Sequence, residues 1–495
     1  VQVLQHACQR TYIGSARQKI KAPHQSELAM LKTISRPAVK LVDRYLPDPY
    51  IFVLLLTVIA AVAAIAVERQ TPLAVMRMWG DGFWNLLTFS MQMVLILMTG
   101  FALAYHPRIN DLLVRLTKLP NGPGQAAVLV GVFAMAIAWI HWGFSLILGA
   151  IFAREMGKTA HEADFEVHYP LLAVAGYMGL GLTWHWGLSA SAPLMLATEG
   201  NAFIEQGVVE GVVPASQTIF HPYGLALVGL SILFALAVLY VLAPSGTRAR
   251  GITEYIPESA LVETSTDGGT VDAGEQPVAE TERGGRPPAA VIDNSRLLGG
   301  LIALTGVGVV GYQFVTNGLD ALTLNVVNFG FLMAGLLFWT NPAAYREKFN
   351  EGAKAAAGII LLFPFFAGIQ GMMAGSGLAQ MMAEGLIAIS TEQTFPMFAW
   401  LTAAIVNLFV PSGGGEWIIL GQPILQAAQD LGIPLGQATM AYAVGDAHTN
   451  LLNPFWALPL LAITRIKARE MFGYAVLMLL ALIPFLAIVL TVLPY

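Results

Sequence analysis

Charge and cysteine are what this chain has least of. Asp, Glu, Lys and Arg make up 12% of its 495 residues, about half the share of an ordinary soluble domain, so a fully water-exposed surface is hard to build. The single cysteine, Cys8, lies in a polar N-terminal stretch. Neither a disulfide framework nor a thiolate metal site can therefore organise the apolar part. The sequence holds no His-Glu-x-x-His motif and no Gly-x-Ser-x-Gly elbow, and no catalytic metal or organic cofactor is expected. Basic residues form no concentrated face, so a nucleic-acid partner is not expected either. Residues 1–29 contain Arg10, Arg17, Lys19 and Lys21 but no apolar core, which argues against a secretory signal. Because Met30 opens a run that reads like a bacterial start, this leader is expected to be an added or misassigned segment.

Apolar residues dominate instead, at 56%. Stretches long enough to cross a bilayer run near 50–67, 84–105, 170–196, 218–243, 296–316, 323–341, 355–375, 438–464 and 472–493, and predict an all-α polytopic membrane protein with nine crossings. Two more apolar stretches, 124–155 and 395–428, are broken at mid-length by His141-Trp142-Gly143 and by Pro411-Ser412-Gly413-Gly414-Gly415. Glycine and proline interrupt helices at a cost, and lipid offers freed backbone groups no partner. Each stretch therefore reads as a re-entrant hairpin lining a cavity. The same reasoning makes 170–196 and 438–464 interrupted helices.

Lys and Arg test the layout. Apart from the leader's four, twenty of the 26 fall on one side, with Arg69 and Arg77 opposite. Under the positive-inside rule this predicts a cytoplasmic N-terminus in a bacterial inner membrane, the two hairpins opening to opposite faces.

Internal similarity agrees with that layout. Around Asp81-Gly82 and Glu351-Gly352, and around His141-Trp142-Gly143 and Pro411-Ser412-Gly413, the offset is 270. Further on it becomes 266, placing Gly179, Thr183, Pro193 and Thr198 on Gly445, Thr449, Pro459 and Thr464. An odd number of crossings separates the copies, so the reading is a first membrane repeat over 30–244 and an inverted second repeat over 296–495. Each would carry a short amphipathic surface segment, at 69–83 and 342–354. Residues 245–295, with eight acids and two arginines from Gly251 to Pro288, read as a disordered cytoplasmic linker.

Paired breaks in two inverted halves point to the binding site of a secondary transporter. At the second tip, Ser412 and the Gly413, Gly414 and Gly415 backbone offer a hydroxyl and a positive helix end, which suit an anion. The first tip contributes His141, Trp142, Gly143, Phe144 and Ser145. For the driving ion, Thr183, Ser189, Thr449, Asn450 and Asn453 suit Na⁺, whereas Glu416, His185, Asp446 and His448 suit H⁺. No Lys or Arg occupies a hairpin tip or interrupted helix. A multiply charged anion would lack its bidentate partner, while the tryptophans suit a single carboxylate on a short acyl chain.

From about Arg44 onward the chain resembles the bacterial short-chain fatty acid transporter family. The likeness rests on Leu46-Pro47-Asp48-Pro49, on Met78-Trp79-Gly80-Asp81-Gly82-Phe83-Trp84-Asn85, and on Gly149-Ala150-Ile151-Phe152-Ala153-Arg154-Glu155. Two later runs carry it too: Phe409-Val410-Pro411-Ser412-Gly413-Gly414-Gly415 and Pro454-Phe455-Trp456-Ala457-Leu458-Pro459. The resemblance implies uptake of monocarboxylates such as butyrate or acetoacetate. Through the wider superfamily of carboxylate carriers it implies an elevator-type homodimer. Glu416 departs from the neutral or imidazole residue of such relatives and leaves H⁺ and Na⁺ both open. The competing readings are a membrane-embedded hydrolase using His141, His185, Asp446 and His448, and a passive anion channel. If the second tip binds substrate, Gly414→Val should abolish butyrate uptake while the protein still inserts; normal uptake by that variant would remove the hairpin from the mechanism.

Overall fold

Prolines open many of the helices. Pro72, Pro107, Pro123, Pro170, Pro222, Pro288, Pro342 and Pro396 all stand in a first turn, where a missing N–H costs no hydrogen bond and a fixed φ is already helical. The computed structural model describes residues 49–244, 246, 249–263, 287–408, 410 and 412–495. The leader, the basic stretch before Pro49, the linker's centre at 264–286, Phe409 and Pro411 lie outside the described residues.

Among the described residues all regular structure is helical. The first half runs α1 (Pro49–Ala66), α2 (Pro72–Gly82), α3 (Leu87–Ala104), α4 (Pro107–Leu116), α5 (Pro123–Ile140), α6 (Trp142–Glu162), α7 (Tyr169–Met178), α8 (Ser191–Leu196), α9 (Ala202–Glu205) and α10 (Pro222–Leu242). After the short α11 (Glu258–Glu263) and α12 (Pro288–Asp293) come α13 (Arg296–Asn317), α14 (Leu324–Trp339), α15 (Pro342–Ser376), α16 (Leu378–Ile389), α17 (Phe395–Asn407), α18 (Gly413–Asp430), α19 (Leu435–Thr449), α20 (Pro454–Thr464) and α21 (Ala468–Val492). Six of these helical stretches are long and apolar enough to cross a bilayer by length and composition, which makes the chain a polytopic membrane protein.

Two expectations change. The surface segment expected at 342–354 does not stop before the next helix: α15 continues unbroken for 35 residues. The junction reads Lys354-Ala355-Ala356-Ala357, and alanine is the strongest helix former, so nothing there interrupts the ladder. Part of the stretch expected to be a disordered linker is docked. Ile252, Ile256 and Leu261 are buried, and the turn at 252–254 packs on α6. Arg250 accepts from Tyr169 through its carbonyl, donates through its N–H to His168 Nδ1, and lies 3.6 Å from Glu470. Three apolar anchors suffice to dock a segment whose average composition is polar.

Burial sorts the helices. The interrupted stretch from Tyr169 to Leu196 is almost wholly buried, as are residues 413–428 and 438–449. By contrast α13 buries only Gly299, Ala303 and Gly306 and exposes Leu297, Leu301, Ile302, Leu304 and Val315, a face that lipid can cover. The irregular backbone thus sits at the centre and continuous helices lie around it. Helix α15 braces one side, packing on α1, α2, α3 and α18, while α17 lies along α19 and α6 against α5, α7 and α20.

Close approach between α6 and α7 depends on a glycine pair. A Cβ built on Gly149 would meet the Gly176 carbonyl, and one built on Gly176 would meet the Gly149 carbonyl. Two backbones facing each other cannot yield as a side-chain tip could. Gly149→Val should therefore destabilise the protein by about 1–3 kcal/mol or more, read as a lower unfolding temperature of the purified protein in detergent; wild-type melting would show that the two helices are free to part.

Candidate functional site

The two mid-run breaks are capped in the same way. His141 ends α5 and begins α6 with φ −155 and ψ 106, and its Nδ1 accepts from Phe144 N at 3.1 Å. Ser412 begins α18 with φ −155 and ψ 100, and its hydroxyl accepts from Gly415 N at 3.3 Å. Each side chain thereby satisfies one of the N–H groups that a helix start leaves without partners. The caps are 271 positions apart, so His141 matches Ser412, one residue on from the pairing read in sequence.

At the first break the polar atoms serve the fold. With Nδ1 accepting, His141 donates from Nε2 toward the Thr99 hydroxyl at 3.3 Å, and its ring stands edge-on to Phe331. Ser189 accepts from Trp142 N at 2.9 Å, and Ser145 donates to the Ala134 carbonyl at 2.8 Å. Gly143 lies against the backbone of Ile96 and Leu97, and Phe144 is half-buried. Of the first tip, the Trp142 side chain is the part that reaches the cleft between the breaks.

That cleft is small and partly open, with about 30 Å³ of accessible space. Its lining is partly polar, with Ser412, Gly413, Gly414, Asn450 and Ser191, and partly apolar, with Met93, Leu180, Ile359, Phe363, Trp142, Trp184 and Trp456. Gly413 and Gly414 are the first residues of α18, and N–H groups in a helix's first turn have no acceptor within it. The Trp142 and Trp184 rings meet edge to face at 5.9 Å. Both side chains are buried, and neither indole N–H has a partner in the fold. A single carboxylate would give these donors acceptors without any cationic side chain.

Behind the Gly413 wall lies a cluster of acids. A Cβ on Gly413 would stand 2.7 Å from His185 Cε1 and 2.8 Å from Asp446 Oδ2, so only glycine fits between them. The pair itself spans the two interrupted helices: His185 Nδ1 lies 2.6 Å from Asp446 Oδ2. His185 Nε2 accepts from Ala192 N at 3.0 Å, which assigns its one hydrogen to Nδ1 and leaves the imidazole neutral. Glu416 is 0% exposed, and its carboxyl meets the Asp446 carboxyl and no other hydrogen-bonding group. Asp446 Oδ1 has no other partner. Two charges about 4 Å apart repel by about 4 kcal/mol even at an effective dielectric near 20, so two ionised carboxylates here need a positive charge from outside.

The remaining polar residues hold the breaks together. Thr183 donates to the Met135 carbonyl at 2.8 Å, Thr449 to Gly445 at 3.0 Å, and Asn450 through Nδ2 to Leu180 at 3.2 Å. His448 faces away from the cleft, toward the Leu479 carbonyl. The Asn453 carbonyl accepts from Tyr177. Two residues not singled out from sequence are central. Asn407, fully buried, donates through Nδ2 to Asp446 O, Thr449 Oγ1 and Asn450 Oδ1, and Tyr177 donates across to Asn450 O and Asn453 O. Asn407 could have been noticed as a lone amide in the run Ala403-Ala404-Ile405-Val406-Asn407-Leu408, since polar groups at membrane depth are costly. Tyr177 carries no such signal.

A family model described as "Short chain fatty acid transporter" matches residues 30–493. A relative in Escherichia coli (strain K12), named for short-chain fatty acid transport, is 38% identical over 456 residues, covering 91% of this chain and 97% of its own. One in Haemophilus influenzae (strain ATCC 51907 / DSM 11121 / KW20 / Rd), named likewise, is 36% identical and covers 90% and 96%. Among solved structures, the Alcanivorax borkumensis YdaH transporter, described as having an unusual topology, aligns with a TM-score of 0.53 at 15% identity over 90% of this chain and 98% of that one. That likeness concerns the fold alone.

The cleft geometry generates one direct test. Gly413→Ala should force the His185–Asp446 pair or the Trp184 ring aside, at a cost of about 1–3 kcal/mol, lowering the unfolding temperature and altering tryptophan fluorescence; an unchanged spectrum and melting curve would mean that this wall yields freely.

Proposed function

The chain belongs to the short-chain fatty acid transporter family, and from that premise we propose that it imports monocarboxylates of the butyrate and acetoacetate class by secondary active transport. Its family and relatives are transporters rather than enzymes. The observation that carries the substrate assignment is the mixed polar and apolar lining of the cleft. The Gly413 and Gly414 N–H groups, the Ser412 cap and the indoles of Trp142 and Trp184 share the lining with Met93, Ile359 and Phe363.

A carboxylate at a helix start gains about 0.3–1 kcal/mol, up to about 2 in partly buried geometry. Each buried methylene of the tail adds about 0.8 kcal/mol. Such modest terms suit a carrier, which has to release what it binds. An arginine clamp would hold a dicarboxylate or phosphate better, and the lining has none.

On this reading the inverted halves bring two opposed hairpin tips to one site, and the matching His141 and Ser412 caps support that pairing. The breaks alternate access, elevator fashion, in a homodimer of the bacterial inner membrane with its N-terminus cytoplasmic. A cation gradient, H⁺ or Na⁺, supplies the driving force through the buried cluster behind Gly413.

The test is uptake of labelled butyrate into proteoliposomes, less the flux into protein-free vesicles, because the undissociated acid crosses lipid unaided. Saturable uptake is expected, and Phe363→Ala should raise the hexanoate-to-butyrate preference about tenfold, the smaller discrimination typical of a methylene-sized pocket change. Unsaturable flux would favour a channel, and an unaltered preference would remove Phe363 from the tail pocket.

A further inference from the structure

We propose that His185 is a positioning residue: its imidazole is a fixed platform that holds the Trp184 ring in the cleft, and so sets substrate affinity without touching the substrate. The inference rests on the substrate assignment above and deepens it. His185 is fully buried and does not line the cleft, whereas Trp184 does. The two rings lie face to face, with centroids 4.3 Å apart and planes 13° from parallel.

Such a stack transmits position only if the supporting ring cannot turn. Both nitrogens of His185 are engaged, and by different parts of the chain. Nδ1 lies 2.6 Å from Asp446 Oδ2 on α19, and Nε2 accepts from Ala192 N at 3.0 Å. The second bond answers a local need. Helix α8 begins after Ala190, which makes no side-chain cap, because a methyl group offers the N–H groups of the first turn no acceptor. The imidazole supplies the acceptor that a serine or aspartate would give. Turning the ring about its Cβ–Cγ bond would break both bonds at once and leave buried polar groups unpaired, which is costly. Neighbouring helices close in the stack as well. Tyr442 of α19 stands edge-on to the imidazole at 5.6 Å. A Cβ on Gly413, the first residue of α18, would meet His185 Cε1 at 2.7 Å and Trp184 Cη2 at 2.5 Å.

What the platform carries is a row of tryptophans. Trp184 meets Trp142 edge to face at 5.9 Å, and Trp142 meets Trp456 at 5.6 Å. The three rings come from the first interrupted stretch, the first tip and α20, and all three line the cleft. In close packing a tilt of one ring displaces the next. Because Asp446 belongs to the second half of the chain, that half orients a binding-site tryptophan supplied by the first.

The experiment is calorimetric binding of butyrate to the purified full-length protein in detergent, arranged as a double-mutant cycle. His185→Ala should weaken binding about tenfold, the lower end of what a misfitted pocket costs. Trp184→Leu, which has no flat face for the imidazole to support, should weaken it to a similar extent. The double variant should stay near that loss rather than reach about a hundredfold, because the two residues act in series. A histidine that merely capped α8 would weaken binding independently of Trp184. His185→Gln keeps a donor for Asp446 and an acceptor for Ala192 N but removes the ring. It should weaken butyrate binding and alter the tryptophan region of the near-ultraviolet circular dichroism while melting close to wild type, and it is the second probe if the alanine variant fails to insert. Wild-type affinity in either His185 variant, or losses that add in the double variant, would overturn the platform. Failure of the wild-type protein to bind butyrate would instead overturn the substrate site on which it rests.

Discussion

Hydrogen bonding at the helix breaks is the constraint from which the rest of the molecule follows. A break frees N–H and C=O groups, and at membrane depth only protein can satisfy them. His141 and Ser412 cap the helices that follow them, Ser189 receives the Trp142 N–H, and Asn407 and Tyr177 tie the second interrupted helix to its neighbours. That demand explains why the irregular segments are buried most deeply while α13, an uninterrupted helix, turns a leucine-rich face outward. It also explains the glycine pair at Gly149 and Gly176, since backbones that partner one another have to come close.

The same constraint divides the polar residues into two kinds. Thr183, Ser145, Ser189, Thr449 and His141 spend their hydrogen bonds inside the fold. Glu416, whose carboxyl meets only that of Asp446, and the indole N–H groups of Trp142 and Trp184 do not. Unsatisfied buried groups cost free energy, and where several collect around one cleft the economical explanation is a ligand that completes them.

Much of this was legible in the chain. Long apolar runs with few charges established the helical membrane fold, and the breaks at His141-Trp142-Gly143 and Ser412-Gly413-Gly414-Gly415 marked where the helices stop. Glycine and proline act within a residue or two, so their effect is local and readable. Less legible were features that depend on what lies across a gap. The docking of the Ile252 turn onto α6 was hidden by polar surroundings, and the absence of any breaker between Lys354 and Ala357 was outweighed by the apparent amphipathicity of 342–354. His141 read as part of a substrate-binding tip, yet its nitrogens are taken by Phe144 and Thr99.

By itself the sequence determined that the chain is a helical membrane protein interrupted at a few places, because hydropathy and backbone propensity are properties of neighbouring residues. Tertiary structure alone decided which polar groups remain unsatisfied. Glu416 and Asp446 are 30 positions apart, and His185 and Asp446 are 261; only packing brings them together beside Gly413. Whether a buried histidine is neutral, or a carboxyl lacks a partner, depends on atoms supplied by distant helices, and no local pattern records that.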